Sequence, residues 1–283
     1  MMKEALCILI LMLAGAAAQA HPGVGIVKDS RGNLFYTDTK QVWKIAPDGK
    51  KSVAVPKVHT HELCLDSDDN LYGEHLWYEG EAAKKWGHRV WCLKRDGTLV
   101  DVIPAREGFL RDYSFARDRA GNMYWADRGA QTVIKKRSPD GKINTHATAD
   151  FRQPQWITVT PDGVLFLTDG GDLRRVSQDG KVSTVATKLS GRKPAPADAS
   201  NLNYHMGLWT DDKGSVYVAV ARERLVLKAQ VNGASVVVAR SRGDWSPSGG
   251  VFDRDGALWL LEYSSTNAVR VRRIASDGSE RVF

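Results

Sequence analysis

The sequence predicts an all-β fold, a six-bladed β-propeller of four-stranded antiparallel blades. Three observations predict it. Six times the chain passes from a polar turn into a short apolar segment, and each segment is followed by a second, Asp-Gly or Asn-Gly turn. The units recur every roughly 40 to 50 residues, a period typical of propeller blades. Two hairpins per unit give four strands, so six units give six blades.

The two turns can be followed unit by unit. The first turn and its strand read "KDSRGNLFYTD", "LDSDDNLYGEH", "ARDRAGNMYWAD", "VTPDGVLFLTD", "TDDKGSVYVAV" and "FDRDGALWLLE". The second turn reads "APDGK", "KRDGT", "SPDGK", "SQDGK", "QVNGA" and "ASDGS". A β-sandwich with coincidental spacing is the alternative. The recurrence of the paired turns favours the propeller.

These motifs resemble the NHL-repeat group of six-bladed propellers. That group is similar in turn to the SMP-30/gluconolactonase, streptogramin-lyase and peptidylamidoglycolate-lyase propellers. The resemblance covers residues 21–283. It implies the architecture rather than one activity, since one fold hosts many functions.

Residues 1–20 have the pattern of a signal peptide. Lys3 precedes an apolar run over residues 5–13, and Ala18-Gln19-Ala20 gives a small-residue cleavage site before His21. A membrane anchor is the alternative, but the run is shorter than the roughly 20 residues that span a bilayer. We therefore expect a single propeller domain at 21–283, periplasmic or secreted, with no membrane span after cleavage.

The charge distribution argues against one class of function, nucleic-acid binding, and the cysteine positions argue against a disulfide. The formal charge is +7, but the basic residues are spread along the chain, which argues against a nucleic-acid-binding stripe. We expect a monomer with a small-molecule, peptide or sugar ligand. Cys64 and Cys92 fall in the first and third strands of one unit. Their Cα atoms should be about 9–10 Å apart, beyond the roughly 7 Å that a disulfide allows, so we expect free thiols.

Histidines gather at one predicted face of the ring. The start of a blade's innermost strand and the end of its second strand meet at the same face, because the two strands are antiparallel. Five of the seven histidines fall at these positions: His21, His59, His61, His75 and His205. Second strands end in acidic residues in five units: Asp38, Glu74, Asp127, Asp169 and Glu262. We interpret Asp38, Asp127 and Asp169 as turn-capping residues.

The histidines suggest a metal site. His59 and His61 alternate along one strand, so their side chains share a face, and Glu74 or His75 comes within reach of it. His61 and His205 lie three blades apart in a ring of six. Imidazoles with a carboxylate are usual ligands for transition metals, so we predict a divalent ion, zinc first, held by His61, His205, His75 and His59. The alternative is that these histidines hydrogen-bond strand ends around a water-filled channel.

The family resemblance adds roles for individual residues. "HELCLD" at 61–66 and "HMGLWTD" at 205–211 look like the histidine motif of the peptidylamidoglycolate-lyase propellers, in which histidines hold zinc on the axis. The resemblance implies His61 and His205 as ligands and polar roles for Arg111 and Tyr204. We therefore expect a metal-assisted lyase or hydrolase for a small polar substrate, with Glu74 or Tyr204 as base and Arg111 binding an anionic group.

One connection departs from the repeat. Residues 76–88, with Trp77, Tyr78 and Trp86, are predicted to form a long loop over the histidine face. Long loops on one face of a rigid scaffold usually build a binding site. The alternative function is therefore a non-catalytic binding propeller that recognises a sugar, peptide or protein partner through these aromatic residues.

Overall fold

A computed structural model describes residues 22–79, 82–108, 115–189, 205–230 and 234–283. It contains six four-stranded antiparallel sheets, each built from four consecutive strands. This confirms the six-bladed β-propeller. Within the described ranges the helical structure is one 3-10 turn, Ala221–Glu223. No helix in this part of the chain is long and apolar enough to cross a membrane.

The first three blades have strands of very different lengths. Blade one contains β1 (Ile26–Lys28), β2 (Leu34–Thr37), β3 (Val42–Ile45) and β4 (Lys51–Val55). Blade two contains β5 (Leu63–Leu65), β6 (Leu71–Tyr78), β7 (Trp86–Leu93) and β8 (Leu99–Glu107). Blade three contains β9 (Phe115–Arg117), β10 (Met123–Arg128), β11 (Thr132–Arg137) and β12 (Ile143–Thr148).

Blades four and five have strands of five or six residues, whereas those of blade six vary from three to eight. Blade four contains β13 (Pro154–Val159), β14 (Leu165–Asp169), β15 (Asp172–Val176) and β16 (Val182–Ala186). Blade five contains β17 (His205–Thr210), β18 (Val216–Val220), β19 (Leu225–Ala229) and β20 (Ser235–Arg240). Blade six contains β21 (Trp245–Phe252), β22 (Leu258–Ser264), β23 (Val269–Ile274) and β24 (Glu280–Val282).

A carboxylate organises the turn between the first and second strands. In blade three, Asp118 accepts hydrogen bonds from the Asn122 backbone N–H (2.9 Å), the Asn122 side-chain amide (2.8 Å) and the Tyr124 hydroxyl (3.0 Å). The residue three positions after the aspartate has a positive φ, 83° at Gly121. Glycine adopts this conformation without a steric penalty, which explains the "D-x-x-G" signature.

The same turn recurs around the ring. Asp66 and Asp211 accept a backbone N–H four residues on and a tyrosine hydroxyl six residues on. In blade six, Asp253 binds the Trp259 indole N–H at 2.7 Å. In blade four, the hydroxyl of Thr160 replaces the carboxylate and accepts the corresponding N–H at 3.0 Å. Each first hairpin therefore starts from a side-chain-capped turn.

The ring closes between blades six and one without a shared strand. No strand passes between their sheets. Instead, blade-one residues Ile26 and Tyr36 share an apolar cluster with Trp259 and Leu261 of blade six.

The cysteines also behave as expected. Cys64 and Cys92 both lie opposite Tyr72, one in the strand on each side of it, and neither forms a disulfide. Burial raises the pKa of both thiols. They are therefore protonated packing residues at neutral pH.

We expect Asp118→Ala to lower the free energy of unfolding by about 2 to 4 kcal/mol, because three hydrogen bonds to a buried carboxylate are lost together. Urea unfolding followed by tryptophan fluorescence measures the change. The matched control is Asp140→Ala in the second turn of the same blade, where the carboxylate is exposed. Equal losses for the two variants would contradict the role assigned to the first turn.

Candidate active site at the channel mouth

The innermost strands of all six blades enclose a central cavity of about 260 Å³. Glu62 lines it at the end where the inner strands begin, which we call the channel mouth. Arg117 and Asp118 line it towards the opposite end, where the first turns lie. The mouth is the face at which the sequence places the histidines.

The inner strands approach one another closely on one side of this channel. A Cβ atom on Gly249 would lie 2.0 Å from the carbonyl oxygen of Val24, and one on Gly207 would lie 2.6 Å from that of Ser248. Blades five, six and one therefore meet through their main chains, and only glycine fits at these contacts.

The segment before β5 is fixed to blade one. The His61 carbonyl oxygen accepts hydrogen bonds from the backbone N–H groups of Val24 (2.8 Å) and Gly25 (2.7 Å). The Thr37 hydroxyl donates to the Thr60 carbonyl at 2.7 Å. These bonds position the predicted residues at the mouth, although β5 itself begins only at Leu63.

Two buried carboxyl groups meet beside His61. Glu74 is fully buried and Glu62 is nearly so. One Glu74 oxygen, Oε1, accepts the backbone N–H groups of His61 and Glu62 and lies 3.7 Å from His61 Nδ1. The Glu62 side chain also lies close enough to Glu74 to influence its pKa. This confirms that Glu74 reaches the His61 face.

Burial raises the pKa of Glu74 to about 8, and the hydrogen bonds from His61 and Glu62 oppose this only in part. Two carboxylates this close in a low dielectric cannot both ionise readily. At neutral pH the Glu62–Glu74 pair therefore retains a proton.

His59 and His75 lie beside this pair. The His59 and His61 rings are 4.7 Å apart between centroids, in an edge-to-face arrangement, which confirms that they share a face. The His59 backbone N–H donates to His75 Nδ1 at 3.0 Å. Burial, with nearby Arg89 and His59, lowers the pKa of His75. Its neutral ring therefore carries its proton on Nε2.

His205 begins the inner strand of blade five and is buried, at 5% exposure. Burial lowers its pKa to about 4, so its imidazole is neutral at physiological pH. In the described ranges, however, no three His, Cys, Asp or Glu side chains come together closely enough to hold a metal ion. The four-histidine metal site remains a prediction.

Two predicted catalytic residues, Arg111 and Tyr204, lie outside the described residues, as does His21. Their roles remain predictions.

Three of the other acidic strand ends, Asp38, Asp169 and Glu262, make structural contacts. Asp38 accepts two backbone N–H groups and a tryptophan indole, as expected for a turn cap. Asp169 accepts two backbone N–H groups just before β13. Glu262 is buried in ion pairs with Arg270 (2.7 Å) and Arg272 (2.9 Å). These contacts hold the three carboxylates against their own blades, and Glu262 also accepts a hydrogen bond from Ser241 of blade five.

Blade two carries an arm in place of the predicted loop. Strands β6, β7 and β8 are eight to nine residues long, and β6 and β7 remain paired as far as Tyr78 and Trp86. The Trp77 ring lies against Gly87, where a Cβ atom would be 1.8 Å from the ring. The Tyr78 side chain is 56% exposed. The sequence predicted a long loop over residues 76–88, whereas the structure has most of this segment as a paired hairpin.

His88 packs at the base of this arm. It is buried against the Phe115 ring of blade three, with centroids 6.5 Å apart. Burial lowers its pKa to about 3. It is therefore a neutral packing residue. The sequence likewise did not place it among the five histidines at the channel mouth.

Sequence reasoning missed Glu62. The signal was available, since Glu62 is two residues before Cys64 in an alternating strand pattern and lies beside His61. What the pattern did not show was that its neighbour across the hairpin, Glu74, would also be buried.

We expect the unfolding free energy of the wild type, relative to Glu74→Gln, to fall as the pH rises from about 4.5 to about 8 and then to level off. The native state keeps a proton on Glu74 that the unfolded chain releases, so rising pH favours unfolding. Urea titrations at pH 5, 7 and 9 measure the difference. The control, Glu79→Gln on the exposed arm, should keep the wild-type pH dependence, and a pH-independent difference for Glu74→Gln would refute the assignment.

Comparisons with known proteins agree with this architecture. The chain is 27% identical over 174 residues to virginiamycin B lyase from Nocardia farcinica, a match spanning 60% of this chain and 57% of that protein. The structure resembles virginiamycin B lyase from Staphylococcus aureus with a TM-score of 0.56 and 16% identity, covering 94% of this chain and 85% of the other. It also resembles a calcium-binding regucalcin from Agrobacterium tumefaciens with a TM-score of 0.56 and 16% identity, covering 85% and 81% of the two chains.

No protein-family model matches the sequence, so the NHL-repeat assignment remains a resemblance of motifs. The chain has the six-bladed propeller fold of the streptogramin-lyase, gluconolactonase and regucalcin structures.

Proposed function

We propose that the protein is an enzyme, a lyase or hydrolase that acts on a small polar substrate at the channel mouth. One observation carries the proposal. Two buried carboxyl groups, Glu62 and Glu74, lie together beside His61, and Glu62 lines the central cavity. Burying such a pair is costly, so it suits a site that uses it.

The pair provides the groups that elimination and hydrolysis both need. Each reaction requires one group to accept a proton and another to donate one to the departing oxygen or nitrogen. Glu62 lines the cavity, so we assign it the contact with substrate. Glu74 is held by two backbone N–H groups, so we assign it the role of positioning Glu62. Glu62 then takes the general-base role that the sequence suggested for Glu74.

The substrate class follows from the size of the site and from similar proteins. A cavity of about 260 Å³ accepts a small molecule or one group of a larger one. Among similar proteins are lyases named for virginiamycin B and structures described as gluconolactonases. Virginiamycin B and gluconolactone are therefore the first compounds to test. Arg111 as anion-binding residue and Tyr204 as an alternative base belong to the same proposal.

A divalent metal ion, with zinc the first candidate, is part of the proposal. His61 and Glu74 supply two neighbouring donor groups, but no third acidic, histidine or cysteine side chain of the described residues completes a metal-binding group. These side chains alone do not fit a complete metal centre, so no step above is routed through a metal. If bound, the ion would polarise a substrate carbonyl.

The proposed setting is periplasmic or secreted. It rests on the signal-peptide pattern of residues 1–20. We propose that the mature protein acts as a monomer on a small-molecule, peptide or sugar ligand.

The second candidate function, a binding propeller, is favoured by one observation. The blade-two arm presents Trp77 and the exposed Tyr78 beside the mouth. Aromatic faces of this kind bind sugars and peptides without chemistry. In that case the protein would bind a ligand and return it unchanged.

We expect Glu62→Gln to lower kcat/KM for an accepted substrate by about 100- to 1000-fold, because the group that exchanges the proton with substrate is removed. Mass spectrometry of the product separates the reaction classes. A lyase leaves the total mass unchanged, whereas a hydrolase adds one water.

Two controls accompany this assay. Glu79→Gln, on the exposed arm, should retain wild-type turnover, and circular dichroism should show that Glu62→Gln is folded. Elemental analysis of the purified protein and activity after chelation test the metal separately. Undiminished turnover by folded Glu62→Gln would rule out the assigned mechanism, and binding without turnover would favour the binding propeller.

A further inference from the structure

A second cavity of about 350 Å³ lies where the last blade meets the first, at the end of the ring opposite the channel mouth. We call it the seam cleft. Its floor is apolar and is formed by Leu34, Ile45, Trp259 and Phe283. The turns at Gly32 and at residues 46–49 of blade one form one wall. The cleft therefore shares no side chain with the proposed active site.

The walls of the cleft are held in place. The Phe283 ring packs on Trp259, with centroids 5.2 Å apart. The Phe283 backbone exchanges hydrogen bonds with Val271 in β23, at 2.9 Å and 3.4 Å. The main chain at Phe283 thus faces the sheet while its ring faces the cleft. A preformed apolar surface of this kind needs little reorganisation to bind a ligand.

Positively charged residues outnumber negatively charged ones around the cleft. Three cations, Lys28, Arg273 and Arg281, line it with one carboxylate, Asp253. Asp253 is already engaged by the Lys28 ammonium, the Trp259 indole at 2.7 Å and Arg273 Nε at 3.5 Å. Arg273 is also paired with Asp255 at 2.6 Å, so three cations face two carboxylates and the cleft carries a net positive charge of about one. That charge favours an anion.

Arg281 is placed to receive that anion. Its guanidinium carbon lies 4.5 Å from the centre of the Phe283 ring, and a Cβ atom on Gly49 would be 3.1 Å from its Nη2. Within the described residues, this stacking is its only specific contact, whereas Lys28 and Arg273 are both ion-paired. A guanidinium presents a planar fork of donors that matches a carboxylate.

We propose that the seam cleft binds a small aromatic carboxylate, with the ring on Trp259 and Phe283 and the carboxylate on Arg281. The apolar floor supplies burial for the ring, and the volume falls in the range of small-molecule pockets. The ligand adds a further contact between the first and last blades. Occupancy therefore stabilises the closed ring.

Calorimetric titration with 1-naphthoate tests the proposal, and 1-naphthylmethanol serves as the uncharged probe. We expect saturable binding of 1-naphthoate near one equivalent and a rise in Tm. Arg281→Gln should weaken 1-naphthoate binding by about fivefold, the scale of an exposed ion pair, and leave 1-naphthylmethanol binding unchanged.

The matched control is Arg137→Gln, which removes an arginine beside the similar glycine turn at Gly141 and should bind both probes like the wild type. Ala46→Trp should fill the cleft and remove binding of both probes, with Ala46→Leu as the smaller filling variant if Ala46→Trp does not fold. Failure of the folded wild type to bind 1-naphthoate would overturn the proposal. So would binding that is indifferent to both Arg281→Gln and filling of the cleft.

Discussion

The fold depends on a small hydrogen-bonded unit, the carboxylate that caps the turn between the first and second strands of a blade. In blade three this is Asp118, with Asn122 and Tyr124 as donors. The unit fixes the register of the inner hairpin, because donors four and six residues later must both reach one carboxylate. A slip of one residue would move every side chain of the hairpin to the wrong face of the blade. Repetition of the unit around the ring places the first turns of the blades at one end of the channel.

The two ends of the ring therefore have different roles. The capped turns lie at one end, where the capping side chain and its hydrogen-bond donors restrict which residues are tolerated. The opposite end carries no such requirement, and there the blades differ most. Blade two lengthens three strands into an arm, and its segment before β5 is tied to blade one through the His61 carbonyl. Buried carboxyl groups such as Glu62 and Glu74 are tolerated at this end because the surrounding backbone N–H groups are already fixed.

The sequence predicts the repeating part of the structure well and the exceptional part less well. Blade number, strand order, the free thiols and the contact of Glu74 with the His61 face all follow from periodicity and turn chemistry, which are local. The closeness of Glu62 and Glu74 depends on how deeply both are buried, and burial is a property of the assembled ring. The arm was expected as a loop because its pairing past Leu76 rests on a Trp77–Gly87 contact that alternation alone does not indicate. Arg111 and Tyr204 lie outside the described residues, so their prediction stands on the family resemblance.

The glycine contacts among the inner strands make the channel unequal around its circumference. At Gly207 and Gly249 the main chains of blades five, six and one already touch, so a larger side chain at either glycine would clash with the neighbouring blade. The inner strands of blades three and four contain no glycine, and they face the channel with residues such as Phe115 and Trp156. Close main-chain contacts therefore constrain one side of the channel more than the other. Substitutions that adapt the channel to substrates of another size are therefore better tolerated in the inner strands of blades three and four.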